Sequence, residues 1–200
     1  TGWGFDDVLP YFKRSEGYEG GSNAFHGGDG PLKVTESPMD NDVYRSFIKA
    51  GVQAGYPETT DFNGAQQEGV GPYQRTIYNG ERWSASFAYL RPISKTRENL
   101  TIKSTALVSR VLIEGGKAIG VEVVPKRGAR PENILCNSEV LVCAGAVQSP
   151  QILLLSGVGP GEEVRKHGIR SVADLEGVGG NLQDHLDVTI LHELTQKISA

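Results

Sequence analysis

The chain has 200 residues, of which 38% are hydrophobic and 22% are charged, the composition of an ordinary folded protein. Its net charge of −4 and its scattered lysines and arginines argue against a nucleic-acid partner, because phosphate binding needs clustered basic side chains. No apolar run approaches the roughly 20 residues that cross a bilayer. We therefore expect a soluble globular protein with one large domain or two small ones.

The start of the chain and its two cysteines indicate whether the chain is complete and in which compartment it is found. The first residue is Thr1, and the only methionine, Met39, follows residues that already look folded, so we expect a piece of a longer protein. The first residues lack the charged and apolar regions of a signal peptide. Cys136 and Cys143 lie seven residues apart at one predicted strand, and this odd spacing points their side chains to opposite faces. A disulfide is therefore not expected, which favours a reducing compartment and a cytoplasmic location.

The first half of the chain predicts short helices separated by glycine-rich loops. Apolar residues at helical spacing predict a helix within 5–18, which Pro10 interrupts. A loop at 20–31 precedes a short strand at 31–36, and a helix within 84–93 is expected to end at Pro92. The long loop at 56–80 is expected to be functional. Between these lies an amphipathic helix at 40–55, capped by Asp40 or Asn41, whose apolar face consists of Val43, Phe47, Ile48 and Val52.

The second half changes to short runs of β-branched residues. We predict a strand at 99–104, an antiparallel meander with strands in 106–114, 118–124 and 133–137, and then a buried strand over 139–144. A helix follows, with Ser149 as its N-cap, Pro150 as its first residue and Gly157 as its end. A second helix within 161–169 is expected to end at Gly168, and 187–195 predict a last strand.

The most specific segment is the strand-to-helix crossover AGAVQSPQILLLSGVGP at 144–160. A pair of small residues, Ala144 and Gly145, precedes Ser-Pro, an aliphatic run and Ser-Gly-aliphatic-Gly. This order resembles the second signature of the glucose-methanol-choline (GMC) oxidoreductase family. The matching positions are Gly145, Ser149, Pro150, Leu153, Leu154, Ser156, Gly157, Val158 and Gly159.

The small residues have a physical meaning that agrees with this resemblance. Ala144 and Gly145 would let the ribose or diphosphate of a dinucleotide approach the backbone, and the helix N-terminus that follows would favour its phosphates. Taken without the family, a glycine after a buried strand more often serves packing or a turn. With the family, both residues become candidates for FAD binding.

Other segments resemble the same family, and together they cover nearly the whole chain. GVGGNLQDHL at 177–186 is similar to a stretch that follows the signature, and 97–123 are similar to the adenine-side meander. By that resemblance the backbone amide and carbonyl of Val108 would bind the FAD adenine. We expect a structural hydrogen-bonding role for His185, beside Asp184. HGGDGPL, DFNG and NGERWSASFAYL are further family-like pieces.

The resemblance implies part of an FAD-dependent alcohol or choline-type dehydrogenase or oxidase, which passes a hydride from an alcohol to the flavin and releases an aldehyde or ketone. The catalytic base would lie beyond Ala200 and the complete Gly-x-Gly-x-x-Gly before Thr1, so no catalytic residue is expected here. Tyr73 and Gln74 are candidates for a wall of the substrate site, and a role in a surface loop is the alternative for both. The electron acceptor, oxygen or a quinone, stays open.

The expected fold is α+β or α/β, combining part of a Rossmann-like FAD-binding domain that carries a β-meander with part of an antiparallel-sheet substrate domain. The resemblance assigns 1–80 to the substrate domain and its connection, 81–180 to the FAD-binding domain and 181–200 to the return into the substrate domain.

Three other readings of the sequence were weighed. A metal enzyme is disfavoured because no two histidines are spaced i, i+3 or i, i+4 and the cysteines lack Cys-x-x-Cys spacing; the histidines are His26, His167, His185 and His192. A serine hydrolase is disfavoured because no Gly-x-Ser-x-Gly occurs. The stronger alternative is a noncatalytic binding or structural module that keeps the fold without flavin.

Overall fold

The computed structural model describes residues 2–189 together with residues 191, 193 and 195. It contains two compact units, one formed by the described residues of 1–101 and 193–200 and the other by those of 102–192. The longest described helix has 12 residues. None of the described helices has the length and apolar character that crossing a membrane requires.

The first unit contains short elements joined by long loops. Its strands form two-stranded sheets, with β1 parallel to β2 and β3 antiparallel to β4. Of the long loop predicted at 56–80, residues 56–76 contain only isolated bridges, whereas residues 77–78 form a strand. The elements in chain order are α1 Phe5–Ser15, β1 Glu16–Tyr18, β2 Leu32–Val34, α2 Asp42–Gln53, β3 Ile77–Tyr78, β4 Glu81–Arg82 and a π-helix Ser86–Leu90.

Local side chains account for how the helices of this unit begin. Asn41 caps α2, because its Oδ1 accepts a hydrogen bond from the backbone N–H of Val43 at 2.8 Å. Asp7 Oδ2 accepts from the N–H of Gly4 at 3.0 Å at the start of α1. Pro10 lies at the sixth position of α1, beyond the first turn where proline is best tolerated.

The predicted apolar face of α2 is not buried in this unit. Phe47 is 72% exposed and Val52 is 42% exposed. The side chains of this unit with the least exposure are instead His26, Thr59 and Ala88. Two of these three are polar, so hydrogen bonds and charges matter more here than a hydrocarbon core.

The second unit is built around the predicted antiparallel meander. Its strands β5, β6 and β7 pair in that order, and β8 pairs with β9 in parallel. Gly115 and Gly116 form the two-residue turn between β5 and β6 with φ of 56° and 78°, a conformation that glycine adopts without strain. The elements are β5 Leu107–Glu114, β6 Lys117–Val124, β7 Glu132–Leu135, α3 Gly145–Leu155, β8 Val158–Gly159, α4 Gly161–Lys166 and β9 Ala173–Asp174.

A buried hydrogen bond joins the meander to α3. The backbone N–H of Val111, on β5, donates to Ser156 Oγ at 2.8 Å, and Ser156 Oγ donates to the carbonyl of Ile152 at 2.6 Å. Val111 on β5 and Val123 on β6 are the buried apolar side chains of the meander, with exposures of 7% and 3%. Gly157 and Gly168 end α3 and α4 with positive φ, as predicted.

Two predicted strands differ from the structure. Residues 99–104 and 139–144 are not strands, and Leu141, in the supposedly buried run, is 75% exposed. An apolar run becomes a strand only when a neighbour pairs with it, and no described strand pairs with either segment. Of the last predicted strand, 187–189 have no regular structure, whereas residues 190, 192 and 194 lie outside the described residues.

The start of α3 also differs from the prediction. The helix begins at Gly145, so Pro150 is its sixth residue and Ser149 is not its N-cap. Ser149 Oγ nevertheless accepts a hydrogen bond from the backbone N–H of Ala144 at 3.0 Å. The serine therefore supports the turn that precedes the helix, and the helix reaches back to the small-residue corner.

Several large apolar side chains of the described residues are exposed to solvent. Trp3, Leu141 and Leu182, for example, are 87%, 75% and 72% exposed.

Candidate functional site

The corner at Ala144 and Gly145 lies at the N-terminal end of α3. Gly145 has φ of 85°, and no atom lies within 4 Å of the position that a Cβ would occupy there. No core side chain therefore fills the space beside this glycine. The first backbone N–H groups of α3 have no partner within the helix, and they carry its positive dipole end. The corner thus offers bare backbone and hydrogen-bond donors suited to an anion.

Val108, the predicted adenine contact, lies half-buried on β5 opposite Val123 of β6. The register of the two strands shifts between Val108 and Arg110, a β-bulge that leaves Ser109 outside the regular pairing. Ser109 Oγ instead donates to Glu122 Oε1 at 2.7 Å. Hydrogen bonds from Arg110 and Ser109 lower the pKa of Glu122.

The structure places β5 and α3 in contact, but at one end of the helix. The hydrogen bond from Val111 to Ser156 lies at the C-terminal end of α3. Ala144 and Gly145 lie at the other end, roughly 16 Å along the helix axis. Val108 and the corner therefore lie in the same unit, and Val108 is not near the Cβ position of Gly145.

A groove beside the corner was not predicted from the sequence. It has a volume of about 510 Å³ and lies between α3 and residues 177–182. Val147, Pro150 and Leu154 contribute apolar walls from the helix, and Gly179 approaches Leu154 closely. The two walls come from segments that both resemble motifs of the family. This shared resemblance could have indicated that the two segments lie close together.

Tyr73 and Gln74, the predicted substrate residues, lie in the long loop of the first unit. The Tyr73 ring is 71% exposed and stacks on the Phe62 ring with 4.7 Å between centroids. Gln74 Nε2 donates to the carbonyl of Thr60 at 3.1 Å, whereas Gln74 Oε1 is buried with no hydrogen-bond partner. Tyr73 also lines an open groove of about 910 Å³ with residues of α2, including Tyr44 and Phe47.

Asp184 and His185 do not form a side-chain pair. Asp184 Oδ1 accepts a hydrogen bond from the backbone N–H of His185 at 2.8 Å, and both residues are exposed. This contact is a local interaction that involves the backbone of His185 and not its ring.

Two interacting sets of side chains in the first unit were not predicted from the sequence. Tyr18 donates a hydrogen bond to Glu36, and this carboxylate, together with burial, raises the pKa of the Tyr18 phenol to about 12. His26 is enclosed by carboxylates. Its place in HGGDGPL, and that of Asp61 in DFNG, could have drawn attention to them, because both pieces resemble family segments.

Comparison with known proteins identifies the family of this chain. Residues 1–187 match the family model described as GMC oxidoreductase, and the chain therefore belongs to the GMC oxidoreductase family. Among curated relatives, it is 46% identical to an oxygen-dependent choline dehydrogenase of Brucella ovis over 99% of the chain and 35% of that protein. The protein of the same description from Rhizobium etli is 46% identical over 100% of the chain and 36% of the relative.

Solved structures agree with this assignment. The pyridoxine 4-oxidase from Mesorbium loti superposes with a TM-score of 0.78 at 34% identity, covering 86% of this chain and 33% of that one. An FAD-dependent oxidoreductase from Chaetomium thermophilum gives a TM-score of 0.84 at 29% identity, covering 92% and 34%. The predicted family and the predicted mixed helix-and-sheet fold are confirmed. The chain spans about a third of the length of these relatives.

Proposed function

We propose that the whole protein containing this chain is an FAD-dependent oxidoreductase that converts an alcohol to an aldehyde or ketone. The observation that carries the proposal is the open corner at Ala144 and Gly145, which begins a helix in a chain of the GMC family. The FAD cofactor predicted from the sequence agrees with the FAD-dependent relative of known structure. When bound, FAD supplies the capacity to accept a hydride from the carbinol carbon.

The chain's own contribution would be to hold the adenine, ribose and phosphate side of FAD. Ala144 and Gly145 would admit the cofactor to the backbone, and the N–H groups at the start of α3 would donate to anionic oxygens. Val108 would contact the adenine through its backbone. The open space beside Gly145 fits a ligand that must approach closely.

The substrate is proposed to be a small alcohol, with Tyr73 and Gln74 in the wall of its site. The unpaired buried oxygen of Gln74 is an acceptor for a hydroxyl or N–H group, and the exposed Tyr73 ring offers an aromatic surface. Choline and pyridoxine are the first alcohols to test, because the names of the relatives mention them. Either oxygen or a quinone could accept the electrons.

The domain assignment accompanies this proposal. Residues 1–80 and 181–200 would belong to the substrate domain, and residues 81–180 to the FAD-binding domain. A cytoplasmic location is likewise part of the proposal.

Gly145→Ala in the whole protein tests the corner. We expect FAD binding to weaken roughly tenfold, about 1.4 kcal/mol, because the added methyl group occupies the cofactor's approach and the positive φ strains alanine. Flavin absorbance and equilibrium dialysis measure the effect. Gly168→Ala is a matched control, since Gly168 has φ of 72° and equally open surroundings but ends α4.

Equal FAD affinity in the two variants would contradict a role for the corner. A whole protein that is colourless and cannot be reconstituted with FAD would favour the noncatalytic module instead. Turnover of choline, pyridoxine and simple alcohols, measured with oxygen, a quinone and an artificial acceptor, would then assign the substrate class and the acceptor.

A further inference from the structure

His26 is the most deeply buried side chain of the first unit, with 2% exposure. Both nitrogens of its ring face carboxylates: Nδ1 lies 3.0 Å from Glu16 Oε2, and Nε2 lies 3.1 Å from Asp61 Oδ2. The Tyr18 ring lies against the imidazole with 4.4 Å between centroids. Each ring nitrogen therefore faces a carboxylate oxygen rather than the solvent.

The two carboxylates restrict the protonation of the ring. A neutral imidazole has one N–H donor and one acceptor nitrogen, whereas an ionised carboxylate only accepts hydrogen bonds. A neutral ring would therefore direct a nitrogen lone pair at one of the two carboxylates. Both contacts are hydrogen bonds only if both nitrogens carry protons and the ring is an imidazolium.

Both carboxyl groups also accept hydrogen bonds from the backbone. Glu16 Oε2 accepts from the N–H of Gly27 at 3.0 Å, and Asp61 Oδ1 accepts from the N–H of Asn63 at 2.9 Å. These oxygens thus act as acceptors, so the ring is the donor in both of its contacts. The nearby Tyr18 ring face is a favourable neighbour for a cation.

The cluster joins residues that are far apart in the sequence. Glu16 lies on β1, His26 in the loop before β2, and Asp61 in the long loop, 35 residues after His26. On either side of Asp61, the carbonyl of Thr60 accepts from Gln74 Nε2, and the ring of Phe62 stacks on that of Tyr73. The segment that His26 contacts through Asp61 is therefore also the segment that contacts Gln74 and Tyr73.

We propose that His26 is a doubly protonated positioning residue, whose charge binds Glu16 and Asp61 and thereby holds residues 60–62 under Tyr73 and Gln74. The part that concerns substrate rests on the proposed function. The part that concerns charge rests only on the geometry of the three side chains. Removing the ring is expected to be costly, because the largely buried carboxylates of Glu16 and Asp61 would lose their shared partner.

The charge is tested in the whole unmodified protein by nitrogen NMR of the imidazole side chains at neutral pH, with His26 assigned through bonds to its own backbone. We expect both ring nitrogens to show the chemical shifts of protonated nitrogen, and proton exchange with solvent to be slow. A signal from an unprotonated nitrogen in the His26 ring would overturn the proposal. This measurement requires neither flavin nor turnover.

The positioning role is tested with His26→Gln and Asp61→Asn in the holoenzyme. Each variant keeps a polar side chain of similar size but removes the charge pairing. We expect KM for the alcohol to rise about tenfold while kcat and flavin content change much less, and the double variant to be no worse than either single variant. His167→Gln is the control, because His167 is exposed and pairs only with Glu163 on its own helix.

The outcomes separate the two proposals. An unchanged KM in both variants with normal flavin content would overturn the positioning role and leave the proposed function intact. If the protein oxidises no alcohol, KM cannot be measured. The contact between the Phe62 and Tyr73 rings is then measured by NMR instead. Loss of that contact in His26→Gln but not in His167→Gln would support positioning, and its persistence would overturn it.

Discussion

At the scale of single residues, Ser156 makes the best-defined contact of the second unit. Its Oγ accepts from the buried N–H of Val111 on β5 at 2.8 Å and also bonds to the preceding turn of α3. Ser156→Ala would leave a buried N–H without a partner, which costs about 1–3 kcal/mol. We expect that loss in the free energy of unfolding, measured by denaturant titration. The exposed Ser138→Ala should change stability little, and equal effects of the two changes would refute the assignment.

Tyr18 gives the structure a dependence on alkaline pH. The hydrogen bond to Glu36 raises the pKa of the folded phenol from 10.0 to about 12. The folded state therefore holds this proton more tightly than the unfolded state, so the stabilisation is complete below pH 10 and is lost as pH rises towards 12.

Absorbance titration of tyrosinate checks this prediction. The unchanged protein should show a tyrosinate transition near pH 12, and this transition should be absent from the Tyr18→Phe variant. Glu36→Gln should lower the pKa of Tyr18, because the carboxylate that causes the shift is removed. A parent protein whose Tyr18 titrates at the ordinary value would show that the bond to Glu36 does not form in solution.

Single-residue features were predictable where their causes are local. The cap at Asn41 and the glycines at 157 and 168 follow from neighbours within one helical turn. The pairing of His26 with Asp61 spans 35 residues and depends on how the long loop folds back. No spacing rule reports such a contact, although both residues lie in family-like segments. The roles predicted for Val108, Tyr73 and Gln74 stay predictions.

At the scale of elements, the meander was predictable because its glycine turn and its β-branched runs both indicate neighbouring antiparallel strands. Gly115 and Gly116 suit a tight hairpin turn, and β5 to β7 then pair as neighbours in sequence. The apolar run at 139–144 was predicted wrongly as a strand, because pairing depends on a distant partner as well as on the run itself. The start of α3 was misplaced because Ser149 and Pro150 imitate a helix beginning.

Gly120 supplies a test of the meander. A Cβ at this residue of β6 would lie 2.3 Å from the carbonyl oxygen of Ile134 on β7, so Gly120→Ala must push the strands apart. We expect a loss of about 1–3 kcal/mol in the free energy of unfolding, measured by denaturant titration. Gly177→Ala is the control, because no atom lies near its Cβ position. Similar stability of the two variants would show that β7 is not held at this register.

At the scale of the whole molecule, the family could be identified from motifs spread over nearly the whole chain, and the match over residues 1–187 confirms it. The division into functional domains could not be checked in the same way. The boundary between the two compact units lies after residue 101. The predicted domain boundaries, which follow the layout of the family, lie after residues 80 and 180. The two units are defined by contacts within these 200 residues, whereas the predicted domains are defined by the layout of the family.

The apolar side chains left in solvent, such as Trp3, Leu141 and Leu182, have a consequence for synthesis in the cell. Exposed apolar side chains lead partly covered polypeptides to bind chaperones and one another. An isolated polypeptide of these 200 residues is therefore expected to aggregate or to stay bound to chaperones when it is produced in cells.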